Sequence, residues 1–124
     1  MGIFGKMGRS IKTSIRRAEI EKREDYRTIL DCASVLTEPI DDGRYLTPKM
    51  AFEVGLNRGL TEEQAHLAAD VLGLYDWDYA LEYGNFLNDS FDYSRDQMEK
   101  ILLDSGFSEE HVDRLLCKFY SVHD

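Results

Sequence analysis

The sequence has little cysteine and proline and no long apolar run, and each of these shortages excludes a class of protein. Only two prolines occur in 124 residues, which argues against a proline-rich disordered chain. No apolar stretch approaches the roughly 20 residues of a transmembrane helix, and no signal-peptide core is present. Cys32 and Cys117 form no CxxC pair, which favours buried, reduced thiols over a disulfide. These features predict a cytoplasmic protein.

The sequence also lacks the motifs by which common enzymes and metal sites are recognised. It has no phosphate-binding loop, no dinucleotide-binding glycine pattern and no serine–histidine–aspartate order. The segment "EEHVD" at 109–113 differs from the HExxH motif of zinc peptidases. Asp76 and Asp78 fill only two ligand positions of an EF-hand calcium loop when Leu81 takes its eighth position. We therefore predict a protein that is not an enzyme and that binds no metal or other cofactor.

Charge is distributed unevenly along the chain. Residues 1–30 contain eight Lys and Arg against four Asp and Glu, whereas residues 31–124 contain seven against twenty. Such asymmetry predicts charged partners. Glycines are dense in residues 1–9 and disfavour a helix there. We therefore predict a flexible basic arm over 1–13 and a single acidic helical domain over 14–124. The basic residues of the arm and its base are Lys6, Arg9, Lys12, Arg16 and Arg17.

The first part of the acidic domain is predicted to be a long helix. It begins at Ser10 or Ser14 as a cap and runs to about Leu36, with apolar residues at helical spacing in its second half. Residues 37–46 contain Pro39 and further turn signals, so the helix is predicted to end there. A small β element near 40–46 is the alternative for this stretch.

Two short segments of the sequence are near copies of each other. They are "GLTEEQA" at 59–65 and "GFSEEHV" at 106–112. In each copy the glycine can end one helix, and the following Thr61 or Ser108 can cap the next. The paired glutamates then complement the positive end of that helix. We therefore predict an all-α bundle of five to six helices, in which two helix-turn-helix hairpins, 47–73 and 94–120, are joined by a helix over 77–89.

The start of the first hairpin allows two interpretations. Thr47 followed by Pro48 is typical of a helix N-terminus, and Ser94 occupies the matching position in the second hairpin. The apolar residues from Met50 to Leu56 alternate, however, as they would in a strand. The capping signals favour the helix.

Residues 47–89 resemble the ubiquitin-associated domain. The segment "RGL" at 58–60 is similar to the turn after the first helix of that family, and "DWDYALEY" at 76–83 is similar to its third helix. The resemblance implies three short helices. The family binds ubiquitin through an apolar residue before the glycine, whereas Arg58 occupies that position here. The resemblance therefore concerns architecture and does not imply ubiquitin binding.

One stretch departs from an ordinary soluble surface. No Lys or Arg occurs between Arg58 and Arg95, although these 36 residues contain eight Asp and Glu. Seven of the fourteen aromatic residues also fall within 75–93. On a helix at about 100° per residue, acidic and amide side chains fall on one face and aromatic side chains on another. The predicted partner-binding residues are Asp76, Trp77, Asp78, Tyr79, Glu82, Asn85, Asp89 and Asp92.

This stretch supports a hypothesis of function and a plainer alternative. An acidic face can dock a basic protein partner, and one form of this hypothesis is a phage-type inhibitor that mimics nucleic acid. The plainer interpretation is that the aromatic residues are core and the acids a solvated face. A second functional hypothesis is an assembly subunit whose basic arm contacts a neighbouring subunit, a membrane surface or nucleic acid. Direct nucleic-acid binding is expected only through that arm.

Overall fold

The computed structural model describes residues 14–41, 43 and 45–120, and about three quarters of these residues are helical. No strand occurs among them, so the predicted all-α fold is confirmed. The arm over 1–13, with Lys6, Arg9 and Lys12, lies outside the described residues. No helix in the described ranges is long and apolar enough to cross a membrane. The helices are α1 (14–20), α2 (Tyr26–Asp41), α3 (Pro48–Asn57), α4 (Glu62–Val71), α5 (Trp77–Ser90), α6 (Arg95–Asp104) and α7 (Glu109–Tyr120).

The predicted long N-terminal helix is interrupted at residues 21–25, and this break raises the helix count of the described chain to seven. Ile20 and Ile29 are both buried, with 4% and 0% of their surfaces exposed. Nine residues separate them, so on one continuous helix they would point about 180° apart. A turn between them lets both enter the same core. In this turn the amides of Lys22 and Arg23 donate to carbonyls three residues earlier.

A network of hydrogen bonds around Asp25 connects this turn to α4. The Arg23 guanidinium donates to both carboxylate oxygens of Asp25, at 2.8 and 3.1 Å. The side-chain amide of Gln64 on α4 donates to the same carboxylate at 2.8 Å. These hydrogen bonds favour the ionised form and hold the pKa of Asp25 well below its usual range.

This network predicts a pH dependence of stability. Because folding lowers the pKa of Asp25, its stabilisation is present above the ordinary value of about 4 and is lost as the pH falls below it. Asp25→Asn is therefore expected to lower the thermal midpoint at neutral pH. As the pH falls, the thermal midpoint of the variant is expected to decrease less than that of the wild type. Circular dichroism melts over a pH series measure both effects. Asp113→Asn, which removes an exposed carboxylate, is the control, and identical pH profiles for wild type and Asp25→Asn would contradict the prediction.

Helix α2 also continues further than predicted. It passes through Pro39 and ends at Asp41, which extends the buried face to Ile40, 8% exposed. A proline removes one backbone hydrogen bond, here the bond to the carbonyl of Val35. The Val35 side chain is 41% exposed, so this side of the helix meets water, which can satisfy the carbonyl. The chain turns only after Asp41, at Gly43, whose φ is +85°.

The two hairpins end and begin their helices as predicted. Gly59 and Gly106 have φ of +91° and +97°, the left-handed conformation that ends a helix. The amides of Leu60 and Phe107 donate to carbonyls five residues earlier, and both side chains are buried. At the start of each following helix, the predicted capping hydroxyl accepts a hydrogen bond from a backbone N–H group. The segment that begins at Thr47 is therefore a helix and not a strand. These caps are Thr47, Thr61, Ser94 and Ser108.

Helix α5 lies on the second of the two hairpins. Helix α3 packs on α4 and α6 packs on α7, while α2 packs on α4 and α5 on α7. Gly55 in α3 faces Ala65 in α4, and Gly84 in α5 faces Leu115 in α7. Small residues at these crossings allow the helices to approach closely. The outer side of α5 is left on the surface.

The two cysteines differ in their surroundings. Both thiols are free, but Cys32 is buried and Cys117 is exposed. Burial raises the pKa of the Cys32 thiol. The prediction of a buried thiol is therefore confirmed for Cys32 and wrong for Cys117, which lies on the outer side of α7.

Candidate functional site

Helix α5 separates the predicted binding residues into an inner and an outer group. Its buried side contains Tyr79, Ala80, Gly84 and Leu87, which pack into the core. Its outer side and the segment that follows contain the acids predicted to meet a partner. The burial pattern decides which of the predicted residues remain available.

Tyr79 belongs to the core rather than to the surface. Its side chain is 2% exposed. Its hydroxyl donates to the Leu46 carbonyl at 2.8 Å and accepts from the Leu46 amide at 3.0 Å. Tyr79 thereby anchors the segment before α3 to α5, and we remove it from the proposed binding residues.

Asp76 is engaged by a residue from the base of the predicted basic arm. The Arg16 guanidinium donates to both carboxylate oxygens of Asp76, at 2.6 and 3.0 Å. It also donates to the backbone carbonyl of Asp70 at 3.0 Å. The Asp76 side chain is only 12% exposed, and it makes no capping hydrogen bond to α5 although it stands at the N-cap. A partner would therefore have to displace Arg16 to reach it.

Asp70 lies next to this ion pair, and burial changes the pKa of its carboxyl. Desolvation raises the pKa of the Asp70 carboxyl, Arg16 opposes that effect, and Asp76 adds to it. Arg17, the other described residue of the predicted basic set, pairs instead with Glu21 one turn along, at 3.6 Å. Both described arginines at the base of the arm thus contact acids of the protein itself.

Trp77 is covered by a residue of α7. The Arg114 guanidinium carbon lies 3.8 Å from the centroid of the Trp77 ring, which is a close cation–π contact. The His111 ring lies 5.5 Å away. Trp77 therefore joins α5 to α7, and part of its surface is not available to a partner.

Aromatic side chains from three parts of the chain meet beside α5, and they extend from the buried Phe107 to the exposed Phe86 and Phe91. The Tyr45 ring lies 4.7 Å from Phe86 and 5.5 Å from Tyr83, and Tyr83 stacks on Phe107 at 5.5 Å. Beyond the end of α5, Phe86 meets Phe91 at 6.2 Å. Phe86 and Phe91 are 37% and 48% exposed. We call this group the aromatic cluster, and its members are Tyr45, Tyr83, Phe86, Phe91, Tyr93 and Phe107.

Acidic side chains border the aromatic cluster. Asp89 and Asp92 are exposed, whereas Asp78, Glu82 and Asn85 are half-buried. We call Glu82, Asp89 and Asp92 the acidic face. The exposed rings of the aromatic cluster, Phe86 and Phe91, and the acidic face together make a surface of rings and carboxylates.

Glu82 is the unusual member of this face. Its Oε2 lies 3.5 Å from the Tyr45 hydroxyl, the outer limit of a hydrogen bond. Its Oε1 is buried, and among the described residues it has no hydrogen-bond partner. Leaving a buried polar atom unpaired costs about 1–3 kcal/mol. Burial, with a smaller contribution from Glu82, raises the pKa of Tyr45.

At least two grooves lie elsewhere on the surface of the described chain. The larger, of about 450 Å³, is lined by α1, α2 and α4 and includes Arg17 and Asp31. The smaller, of about 250 Å³, lies between α6 and α7 and includes Glu99 and Glu109. Asp70, whose carboxyl has a raised pKa, lines neither groove. In the described ranges no group of three or more His, Cys, Asp or Glu side chains is placed to hold a metal ion.

Comparisons with known proteins give no further guide to this site. The chain matches no family model, no curated protein and no solved structure.

Sequence reasoning missed two members of the aromatic cluster. Tyr45 precedes α3 and Phe107 precedes α7, and neither lies in the aromatic-rich stretch. The density of aromatic residues over 75–93 indicated where a cluster would form. Nothing in the local pattern indicated that Tyr45 would stack on Phe86, because that contact depends on how the helices pack.

Proposed function

We propose that this protein is a non-enzymatic binding module whose acidic face and aromatic cluster dock a basic protein partner. The observation that carries the proposal is the meeting of exposed rings and carboxylates on one side of α5. Phe86 and Phe91 are exposed there, next to Glu82, Asp89 and Asp92. The sequence between Arg58 and Arg95, which contains these acids, has no Lys or Arg.

Basic side chains fit such a surface on two counts. Their charge pairs with carboxylates, and the same cation is attracted to the face of an aromatic ring. A surface that serves only solubility usually mixes both signs of charge and exposes few aromatic rings. The combination therefore favours a partner over simple solvation.

One form of the proposal is an inhibitor that occupies a nucleic-acid-binding surface of its partner. Asp78 precedes Glu82 of the acidic face by one helical turn, about 6 Å along the axis, a spacing similar to that of successive phosphates on one strand. A basic groove built for phosphates can accept such a stripe, and the release of its counterions would favour binding.

The assembly alternative has less support. It assigns binding to Lys6, Arg9, Lys12, Arg16 and Arg17. Of the two that are described, Arg16 is bound to Asp76 and Asp70, and Arg17 to Glu21. No described contact favours a role of these arginines outside the protein.

Charge reversal on the acidic face tests the proposal. The double variant Asp89→Lys with Asp92→Lys is expected to weaken binding of a labelled octalysine peptide by about tenfold, equivalent to about 1.4 kcal/mol. Fluorescence anisotropy at low salt measures the affinity, and far-ultraviolet circular dichroism checks that the variant remains helical.

The control is a double variant with the same change in net charge. Glu53→Lys with Asp113→Lys alters two exposed acids on α3 and α7, away from the acidic face. It is expected to weaken binding by less than about threefold, since only the overall charge changes. Equal losses for both double variants would mean that net charge alone attracts the peptide, and the proposed face would then be rejected.

A further inference from the structure

We propose that α1 is a releasable strap that Arg16 holds closed, and that Asp76 changes its hydrogen-bond partner when the strap opens. In the closed state the Asp76 carboxylate binds Arg16. In the open state the same carboxylate caps the first turn of α5. The strap contains no residue of the acidic face, so its opening can be measured independently of partner binding.

Side-chain burial holds α1 to the rest of the protein at one end only. Among residues 14–20 only Ile20 is buried, Arg16 is half-buried and the others are exposed. Ile20 stands at the end that joins the turn over 21–25, whereas Ile15, near the other end, is 61% exposed. Segments with little buried apolar surface open most easily in folded proteins. The contacts of Arg16 therefore decide whether the first part of α1 stays in place.

Arg16 joins α1 to the end of α4 and to the start of α5. Its guanidinium donates to both carboxylate oxygens of Asp76, at 2.6 and 3.0 Å, and to the Asp70 carbonyl at 3.0 Å. Such charge-assisted, two-pronged hydrogen bonds are stronger than neutral ones. All three depend on one side chain, so they are lost together when that side chain leaves.

The turn over 21–25 provides a hinge for this strap. At its far end Asp25 accepts a hydrogen bond from Gln64 of α4 at 2.8 Å, which keeps the start of α2 in place. Within the turn the backbone hydrogen bonds are local, since the amides of Lys22 and Arg23 donate to carbonyls three residues earlier. A change in a few backbone dihedral angles there can swing α1 while α2 stays fixed.

Asp76 is placed to serve either state. Its φ of −82° and ψ of 153° are those of an N-cap residue, yet α5 receives no side-chain cap from it. Both carboxylate oxygens bind Arg16 instead. When Arg16 leaves, rotation of the side chain can turn the carboxylate toward the N–H groups of the first turn of α5, the usual partners of an N-cap aspartate. The new cap offsets part of the cost of opening, which makes the open state accessible.

Opening of the strap also changes the groove of about 450 Å³. Ser14 and Arg17 line this groove from α1, whereas Leu30 and Val71 line it from α2 and α4. When α1 swings away, the groove loses one wall, and its apolar residues on α2 and α4 become accessible. The strap therefore controls access to this part of the surface.

Amide hydrogen exchange of the full chain, followed residue by residue with nuclear magnetic resonance, tests the strap. Arg16→Gln is expected to speed exchange at residues 18–21 by about tenfold, because it removes the charge-assisted hydrogen bonds to Asp76. The amides of α2 to α7, including the first turn of α5, are expected to exchange as in the wild type. Asp76→Asn, which keeps a capping side chain, is expected to behave in the same way. Asp76→Ala removes the cap as well and is expected to speed exchange in α1 and in the first turn of α5.

Arg17→Gln is the matched control, since it removes a neighbouring arginine that pairs with Glu21 on the surface. It is expected to change exchange in α1 by less than about twofold, the effect of an exposed pair one turn apart. Equal exchange in Arg16→Gln and Arg17→Gln would overturn the role of Arg16. Faster exchange of every helix in Arg16→Gln would show that α1 opens only with the whole domain, which also overturns the strap. Equal exchange at the first turn of α5 in Asp76→Asn and Asp76→Ala would refute the change of partner by Asp76.

Discussion

Replacement of Tyr79 by alanine is expected to lower the free energy of unfolding by about 3–5 kcal/mol, the range for removal of a large buried aromatic side chain. The ring is 2% exposed, so its loss leaves a cavity in the core. Its hydroxyl also serves both the amide and the carbonyl of Leu46. Leu46 is 4% exposed, so water does not readily replace those two hydrogen bonds.

A second substitution separates the cavity from the hydrogen bonds. Tyr79→Phe keeps the ring and is expected to cost about 1–3 kcal/mol, because it leaves buried backbone groups unpaired. Urea unfolding followed by circular dichroism gives both values. Phe91→Ala, at a position that is 48% exposed, is the surface control, and a loss for Tyr79→Ala no larger than for this control would refute the anchoring role of Tyr79.

Gly55→Ala is expected to lower the free energy of unfolding by about 2 kcal/mol, since overpacking of a tight contact typically costs 1–3 kcal/mol. A Cβ at this position would lie 2.8 Å from the Cβ of Ala65 and 3.1 Å from its Cα. Alanine has no torsion that moves its Cβ aside, so helices α3 and α4 would have to separate. The overlap is expected to outweigh the gain of about 1 kcal/mol in helix propensity.

The double variant Gly55→Ala with Ala65→Gly provides the internal check. It moves the single methyl group from one helix to the other and so restores the space between them. We expect its stability to exceed the sum of the two single changes, because residues in contact couple in a double-mutant cycle. Additive effects, measured by urea unfolding, would show that the close approach of α3 and α4 does not limit substitution at Gly55.

The ends of the helices were predictable because the signals that set them are local. Thr47 with Pro48, Gly59 and Gly106 act through hydrogen bonds to residues a few positions away. A single sequence therefore contains all the information needed to place them. The acidic stretch between Arg58 and Arg95 could also be found from the sequence, because the absence of Lys and Arg is a property of composition.

The interruption of the N-terminal helix was not predicted, although a signal for it existed. Residues 21–25 contain no glycine or proline, and helix-favouring residues flank them. The signal was the spacing of Ile20 and Ile29, because one straight helix would point these two side chains in opposite directions and could not bring both into the same core. The hydrogen bonds that fix the turn involve Asp25 and Gln64, which are distant in sequence, so propensity alone could not reveal them.

The residues of the candidate site were also predicted only in part, because contacts between residues distant in sequence decide which of them the fold uses. Placing α5 on a helical wheel predicted one acidic and one aromatic face, but it could not show which residues the rest of the fold uses. Asp76 is bound by Arg16, and Tyr79 supports Leu46. Both contacts span more than thirty residues and depend on packing, as does the arrival of Tyr45 beside Glu82.

The pairing of neighbouring helices also bears on how fast this chain folds. Helices α3 and α4, and likewise α6 and α7, are consecutive along the chain and pack on each other. Forming each pair closes only a short loop, which costs little chain entropy. Proteins dominated by such local contacts fold in microseconds to milliseconds. The two hairpins are therefore the units expected to form first, and α5 is expected to settle onto α7 once the second hairpin exists.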